Sequence, residues 1–478
     1  MSERLSALDA SFLAVETAAA PMHVGWVSLF DAPDGGGRPG FAELSEHLAG
    51  RLALAPRYRQ KLAPVPFGVH EPVWVDDDAF DPAAHLLHAP GEDLDEIVDG
   101  ILSTPLPRDR PLWRMWIADE LPGEGIALIG KAHHCMVDGA AIAELGRLVL
   151  DASPSDVTPP DSSAGAPPAA GRRTPASTRA GAPRAAGRRT TASTRAGAPS
   201  ASARLAQAVA DRTAEGAALA LAPLSLARRP ASVPGVALRG ARTLAHTLLP
   251  PAPASPLNAR GSARRHHVRL ARPLDEVRRA RRRYGVTPND VILAACAGAL
   301  RRYAQRRGET PQRLKTMVPA DVRRSEDDPA SGNRISFVFV DLPCDEPDPV
   351  ARVQAIHEAT AHRRDHQDAE ALDAAFGVLA KTPRSLQRAL AHAFAHPRLS
   401  NLTISTVPGP STARYLYGCR LRSVHSAVPL AERHALSVGV VLVAGNACTG
   451  VYADASVLPD ADSLRDDFHA AFDELVSG

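Results

Sequence analysis

Two adjacent histidines, His133 and His134, stand four to five residues ahead of the pair Asp138 and Gly139. An imidazole has an unperturbed pKa near 6.5, so close to neutrality it can both accept and donate a proton. Held against a hydroxyl, a neutral ring takes the proton as that oxygen attacks a carbonyl, a contribution of roughly 10²–10⁴-fold. Asp138 would fix the turn or a ring orientation, and Gly139 would permit tight backbone geometry. A bare His-His pair is ordinarily a satisfied polar pair near a strand end. The longer string, set between a strand and a helix, turns the reading toward base catalysis.

The neighbouring residues supply those elements. Gly123 and Gly125 lead into the apolar run 126–129, which reads as a buried strand. Ile142, Leu145, Leu148 and Val149 fall at helical spacing over 140–150. The histidines therefore belong on a strand-to-helix turn, where side chains can project into a cleft.

The string HHxxxDG is the signature of CoA-dependent acyltransferases and of peptide-synthetase condensation domains. Residues 5–31 (LSALDASFLAVETAAAPMHVGWVSLFD), 66–78 (PFGVHEPVWVDDD), 110–121 (RPLWRMWIADEL) and 287–290 (TPND) follow in order and spacing. Together they closely resemble the bacterial wax ester synthase/acyl-CoA:diacylglycerol acyltransferase family, over nearly the whole chain outside roughly 151–250. The resemblance implies an α/β fold of two chloramphenicol-acetyltransferase-like halves in pseudo-twofold arrangement, with a tunnel between them. It implies His134 as general base, His133 shaping the turn, and Asp138 in a structural ion pair with an arginine the sequence does not identify. Asn289 and Asp290 match a motif required for activity, and the PLW stretch a structural one. Acyl-CoA is then a co-substrate, with no cofactor and no metal. The chain departs from the family pattern at Thr406, at Ser437 and at Leu442-Val443, which leaves acceptor preference open.

Composition sets the bounds. At 478 residues, two domains are expected, and 45% apolar content is ample for a core. Fifty-five basic against fifty-three acidic residues leave no global field for nucleic acid. Five cysteines at irregular positions form neither a disulfide framework nor a metal-ligand pattern, which suits a reducing cytoplasm. No apolar run is long enough to span a bilayer and no signal peptide is evident, so any membrane or lipid-droplet contact is expected to be peripheral.

The domains divide as 1–150, carrying HHxxxDG; a low-complexity linker and crossover helices over 151–255; and 256–478, a second acyltransferase-like half. Within the linker, 170–183 (AGRRTPASTRAGAP) recurs as 186–199 (AGRRTTASTRAGAP). Such sequence buries too little apolar surface to offset ordering entropy, so disorder is expected from about 155 to 200. A second pair, His266 and His267, precedes alternating Val268 and Leu270 and reads as a strand with exposed imidazoles. Asn289 and Asp290 suit helix N-caps, and Gly332-Asn333 marks a turn. Phe376, Leu379, Leu386, Leu390 and Phe394 form a stripe beside Lys381, Arg384 and Arg388, either a core-packing helix or an interfacial one.

The expected activity is acyl transfer from acyl-CoA to the hydroxyl of diacylglycerol or a long-chain alcohol. A carrier-dependent condensation reaction is the alternative, for which the basic stretch 278–283 offers a docking face. A non-catalytic droplet coat is a third reading, against which the intact HHxxxDG argues. Cys135 as an acyl-carrying nucleophile is discounted because side chains around it alternate direction.

Overall fold

Short local signals start and stop the helices that frame the motif. The computed structural model of the protein describes residues 3–33, 37–123, 125–137, 139–154, 198–227, 250–321, 335–365, 368–379 and 382–477. Asp138, the duplicated segment and Gly332-Asn333 lie outside them. The first half runs α1 (Ala7–Val15), β1 (His23–Asp31), α2 (Phe41–Leu52), β2 (Gln60–Ala63), β3 (Val73–Asp76), β4 (Leu86–His88), α3 (Leu94–Ser103), β5 (Trp113–Ala118), β6 (Ile126–His133) and α4 (Gly139–Val149). Ser6 caps α1 by accepting the Asp9 N–H, and Asp93 caps α3 by accepting from Asp95 and Glu96.

After α5 (Ala201–Ala227) the second half runs β7 (Arg265–Pro273), α6 (Leu274–Tyr284), α7 (Pro288–Arg306), β8 (Leu314–Asp321), β9 (Ile335–Leu342), α8 (Pro349–Asp365), α9 (Asp368–Leu379) and α10 (Arg384–Phe394). Then follow β10 (Leu402–Pro408), β11 (Tyr415–Leu416), β12 (Cys419–Ala427), β13 (Leu436–Val443), β14 (Asn446–Asp454) and α11 (Ser463–Ser477). Gly285, at φ +68, ends α6 in the left-handed conformation that favours glycine. The helix expected after Thr287 is α7. Thr287, rather than Asn289 or Asp290, is its cap. Asp290 is the third helical residue and closes a capping box back to the Thr287 N–H.

Two six-stranded sheets carry the fold, in the orders β11-β12-β1-β6-β5-β4 and β7-β14-β13-β10-β8-β9. Strand β6 lies between β1 and β5, antiparallel to both, and every residue in it is buried. Gly130 is required there, because a Cβ would fall 2.0 Å from the Trp26 ring. The sheets exchange chain: β11 and β12, from the second half of the sequence, join the first sheet beside β1. One core packs beneath the first sheet around Trp113, Met115 and Leu128, and a second packs α7 and α11 on the other sheet around Ile292, Phe468 and Phe472.

Two further expectations are corrected. The imidazoles at 266–267 are not exposed: His267 is fully buried and His266 lies between two carboxylates. The stripe from Phe376 to Phe394 is not one helix, since Pro383 starts α10 afresh after α9 ends at Leu379. Among the described residues, no helix is long and apolar enough to cross a membrane.

Candidate active site

Antiparallel register fixes the wall on which the histidines stand. His23 lies opposite His133 and Gly25 opposite Lys131, so all four positions share one face of the sheet. The Lys131 ammonium is buried and donates to the carbonyls of Ile101 and Thr104, closing the C-terminus of α3. Burial, and then the Arg114 charge, pushes its pKa down to about 7. The face that carries the histidines is thereby tied to α3.

His133 is a fixed ring with 0% exposure. Its Nδ1 accepts the Cys135 N–H at 3.1 Å, which assigns the ring proton to Nε2. That nitrogen lies 3.7 Å from the Glu16 carboxylate and 3.4 Å from the Arg108 guanidinium. Glu16 and Arg108 are themselves ion-paired. Burial, reinforced by the Arg108 charge, holds His133 far below the ordinary histidine range, so it stays neutral. Its neighbour His23 is neutral for the same reason, burial first and the His133 ring second.

His134 is placed differently. The chain has left β6, and the backbone N–H of His134 donates to the Met22 carbonyl at 2.8 Å, tying the turn to the start of β1. Its ring is half-buried and stacks face to face on Phe12, with centroids 3.9 Å apart and planes 5° from parallel. Phe12 belongs to α1 and packs with Val15 and Met22 against Ala391 and Ala395 at the end of α10, so the second half of the chain backs the imidazole. Cys135 points into the core at 3% exposure, and burial raises its thiol well above the ordinary range. Gly139 opens α4, which packs against β10.

The remaining candidates sit at the start of α7. Asn289 Oδ1 accepts the Thr406 hydroxyl of β10 at 3.1 Å, so the departure at 406 keeps a polar link to that motif. Asp290 is fully buried. It faces His357 at 2.8 Å and accepts from the Thr360 hydroxyl at 2.7 Å and from the Thr287 N–H. Burial alone would raise this carboxyl, but those bonds outweigh it and hold it below its usual range. Strand β10 thus lies against α4 on one side and bonds the Asn289 motif on the other. Ser437 donates to the Val428 carbonyl, and Val443 packs into the first core.

Sequence reasoning missed Phe12, Glu16 and Arg108. Part of the signal was present in Asp9 and Phe12, which share one side of α1 at helical spacing, with Glu16 at its C-cap.

Comparison with known proteins identifies the family's two domains in this chain. The model of the wax ester synthase/diacylglycerol acyltransferase catalytic domain matches residues 5–292, and that of the family's C-terminal domain matches 331–476. A Mycobacterium tuberculosis protein provisionally named a diacylglycerol O-acyltransferase is 31% identical, covering 99% of this chain and 90% of its own. A Mycobacterium bovis protein of the same provisional name is 29% identical over 98% of this chain and 97% of its own. Among solved structures, the wax ester synthase/diacylglycerol acyltransferase of Marinobacter aquaeolei superposes with a TM-score of 0.67 at 22% identity, covering 99% of this chain and 98% of that one. The first condensation domain of the calcium-dependent antibiotic synthetase superposes at 0.57 and 16% identity, covering 100% and 97%. These likenesses show the α/β fold.

Proposed function

The chain belongs to the wax ester synthase/diacylglycerol acyltransferase family, and we propose that it moves a fatty acyl group from acyl-CoA to the free hydroxyl of diacylglycerol, making triacylglycerol. The observation that carries the reading is the contrast within one dipeptide. His133 is sealed and neutral, whereas His134 alone is half-buried on the turn beyond the sheet. His134 takes the proton of the acceptor hydroxyl as the oxygen attacks the thioester carbonyl. The tetrahedral intermediate collapses, the C–S bond breaks, and the CoA thiolate leaves and recovers the proton. Acyl-CoA and the lipid alcohol approach from opposite sides of the junction between the halves.

His133 shapes the turn, and Gly139 opens α4. Asn289 holds the start of α7 to β10, and Asp290 holds it to α8. Long-chain alcohols serve as further acceptors, and the protein works peripherally on a membrane or lipid-droplet surface facing the cytoplasm. The relatives' names support diacylglycerol as the main acceptor.

The test is direct. Purified protein is incubated with palmitoyl-CoA and either diolein or hexadecanol, and products are resolved by thin-layer chromatography. Triacylglycerol formation that outpaces wax ester formation is expected, as is its loss in His134→Ala. Product with an acyl-carrier donor but none with acyl-CoA would overturn the donor assignment.

A further inference from the structure

Among the described residues, five large apolar side chains are left exposed: Leu54, Phe67, Val209, Val350 and Leu386. Three of them converge on one surface. Phe67 occupies the turn Pro66–Gly68, Val209 lies on α5, and Leu386 lies on α10. Two arginines lash these elements together. Arg384 donates to the Gly68 carbonyl at 2.8 Å and pairs with Glu71 at 2.7 Å. Arg212, three residues from Val209, donates to the carbonyls of Val69 and Thr382. Phe67 is 91% exposed and sits at φ +56, in the left-handed region that a bulky residue rarely adopts. Strain that holds an aromatic ring out in solvent has no use in packing and marks a surface with a function.

The acidic groups around this patch are all paired, Asp211 of α5 with Arg4. Glu71 is taken by Arg384, and Glu215 by Arg212 and His70, while Arg388 stands exposed one turn beyond Arg384. Arg204, in the first turn of α5, donates to the Pro64 carbonyl just ahead of the Phe67 turn. Apolar side chains ringed by arginines suit an interface where headgroups are anionic and the layer below is apolar.

The patch also lies beside the candidate site. A cleft of about 220 Å³ opens between α1 and α10, lined by Ala10, Ser11 and Ala14 on one wall and Gln387 and Arg388 on the other. The same helix α1 carries Phe12 against His134. We propose that Phe67, Val209 and Leu386, with Arg384 and Arg388, form the surface that docks the protein on anionic phospholipid, seating the mouth of this cleft against the lipid. The inference rests on the lipid-surface reading above and names the face that meets it.

Co-sedimentation of the full chain with vesicles tests it, using phosphatidylcholine alone or mixed with phosphatidylglycerol. The wild type is expected to bind the mixed vesicles and to bind pure phosphatidylcholine more weakly. The triple variant Phe67→Ser, Val209→Ser, Leu386→Ser should lose binding by about tenfold or more. Arg388→Glu should weaken binding to mixed vesicles only, and the control pair Leu54→Ser, Val350→Ser should bind as wild type. All six substituted positions are exposed, and circular dichroism melts confirm that each variant folds. Undiminished binding of the triple variant would overturn this surface and leave the peripheral-lipid reading intact. Absence of wild-type binding to either vesicle would overturn both. Equal binding to neutral and anionic vesicles would overturn the anionic assignment. Self-association broken by Phe67→Ser, without vesicle binding, would make the patch a contact between copies and overturn the proposal.

Discussion

The dipeptide His-His occurs twice in this chain, and the two copies meet opposite fates. At 133–134 it ends strand β6, so the first ring stays in the sheet and the second leaves it on a turn. At 266–267 it lies inside β7, in register with Ala453 and Tyr452 of β14. There His267 points to the carbonyl of Ser426 on β12 and is held neutral, by burial first and the Arg269 charge second. His266 sits 2.6 Å from Asp99 and 3.2 Å from Asp462, and the Asp99 bond raises it to about 9 despite burial. One ring is locked neutral and the other protonated. Neither can cycle near neutral pH, which is the requirement for a general base. The chemistry of the pair comes from where the strand stops.

The comparison breaks most plainly by substitution. His134→Ala is expected to lower turnover by about 10²–10⁴-fold with an unchanged melting profile. His266→Ala should keep turnover within about threefold of wild type and lower thermal stability instead. Steady-state rates with palmitoyl-CoA and diolein, read beside melting curves, separate the two. A folded His266→Ala protein without activity would mean that the second pair is not the structural one.

The second pair makes a further prediction through pH. The folded pKa of His266 is about 9, above the value near 6.5 expected in the unfolded chain. Folding therefore favours the protonated ring, so this contribution is fully present below pH 6.5 and is lost as pH rises through 9. The carboxylate of Asp462 is well exposed, so solvent screening reduces the contribution to about 1–2 kcal/mol. Urea midpoints measured from pH 6 to 9.5 should fall more for the wild type than for Asp99→Asn. Parallel pH profiles would remove Asp99 as the proton's partner. Because His266 belongs to one sheet and Asp99 to α3 of the first half, the same titration loosens the junction between the halves.

The sequence made the local half of this contrast visible and hid the rest. The run 126–129 announced β6, the spacing of Ile142, Leu145 and Val149 announced α4, and TPND announced the start of α7. Each rests on contacts within a few residues. The alternation Val268, Leu270 marks one buried face of β7, while the reading of exposed imidazoles at 266–267 fails on the face that carries His267. That face is dry because β12 crosses from the other sheet and covers His267. Strand exchange has no local signature: CRLRSVHSA alternates as any strand does, and nothing in it names its partner. The same limit applies at the site. Helical spacing puts Asp9 and Phe12 on one side of α1, with Glu16 just past its end, but only the fold shows that Phe12 reaches His134 and that Glu16, with Arg108, reaches His133.

Phe12 sets the two pairs further apart, since among the described residues the stacking partner of His134 has no counterpart at His266. A parallel aromatic contact is worth about 0.5–1.5 kcal/mol. Phe12→Leu keeps apolar volume and loses the flat face, so kcat should fall by about 2–10-fold with little change in the KM for acyl-CoA. Phe12→Tyr should recover most of that loss. Equal rates in all three proteins would show that the backbone bond from His134 to Met22 suffices to orient the ring.

The smallest effect is expected at the residue next to the base. Cys135 follows His134, yet its side chain turns into the first core, and burial keeps its thiol protonated well above neutral pH. A thiol so placed is a packing group, and acyl transfer through it would require a thiolate in an apolar interior. Cys135→Ala should hold turnover within about twofold and cost about 1 kcal/mol of stability through lost packing. Mass spectrometry of enzyme quenched during turnover should find no acyl adduct on the chain. An acyl group trapped at Cys135 would replace direct attack by a two-step route and demote His134 from base toward the acceptor to base toward the thiol. The buried thiol and the half-buried imidazole, adjacent in sequence, differ by which side of the turn each faces, and that difference is what the adduct experiment reads.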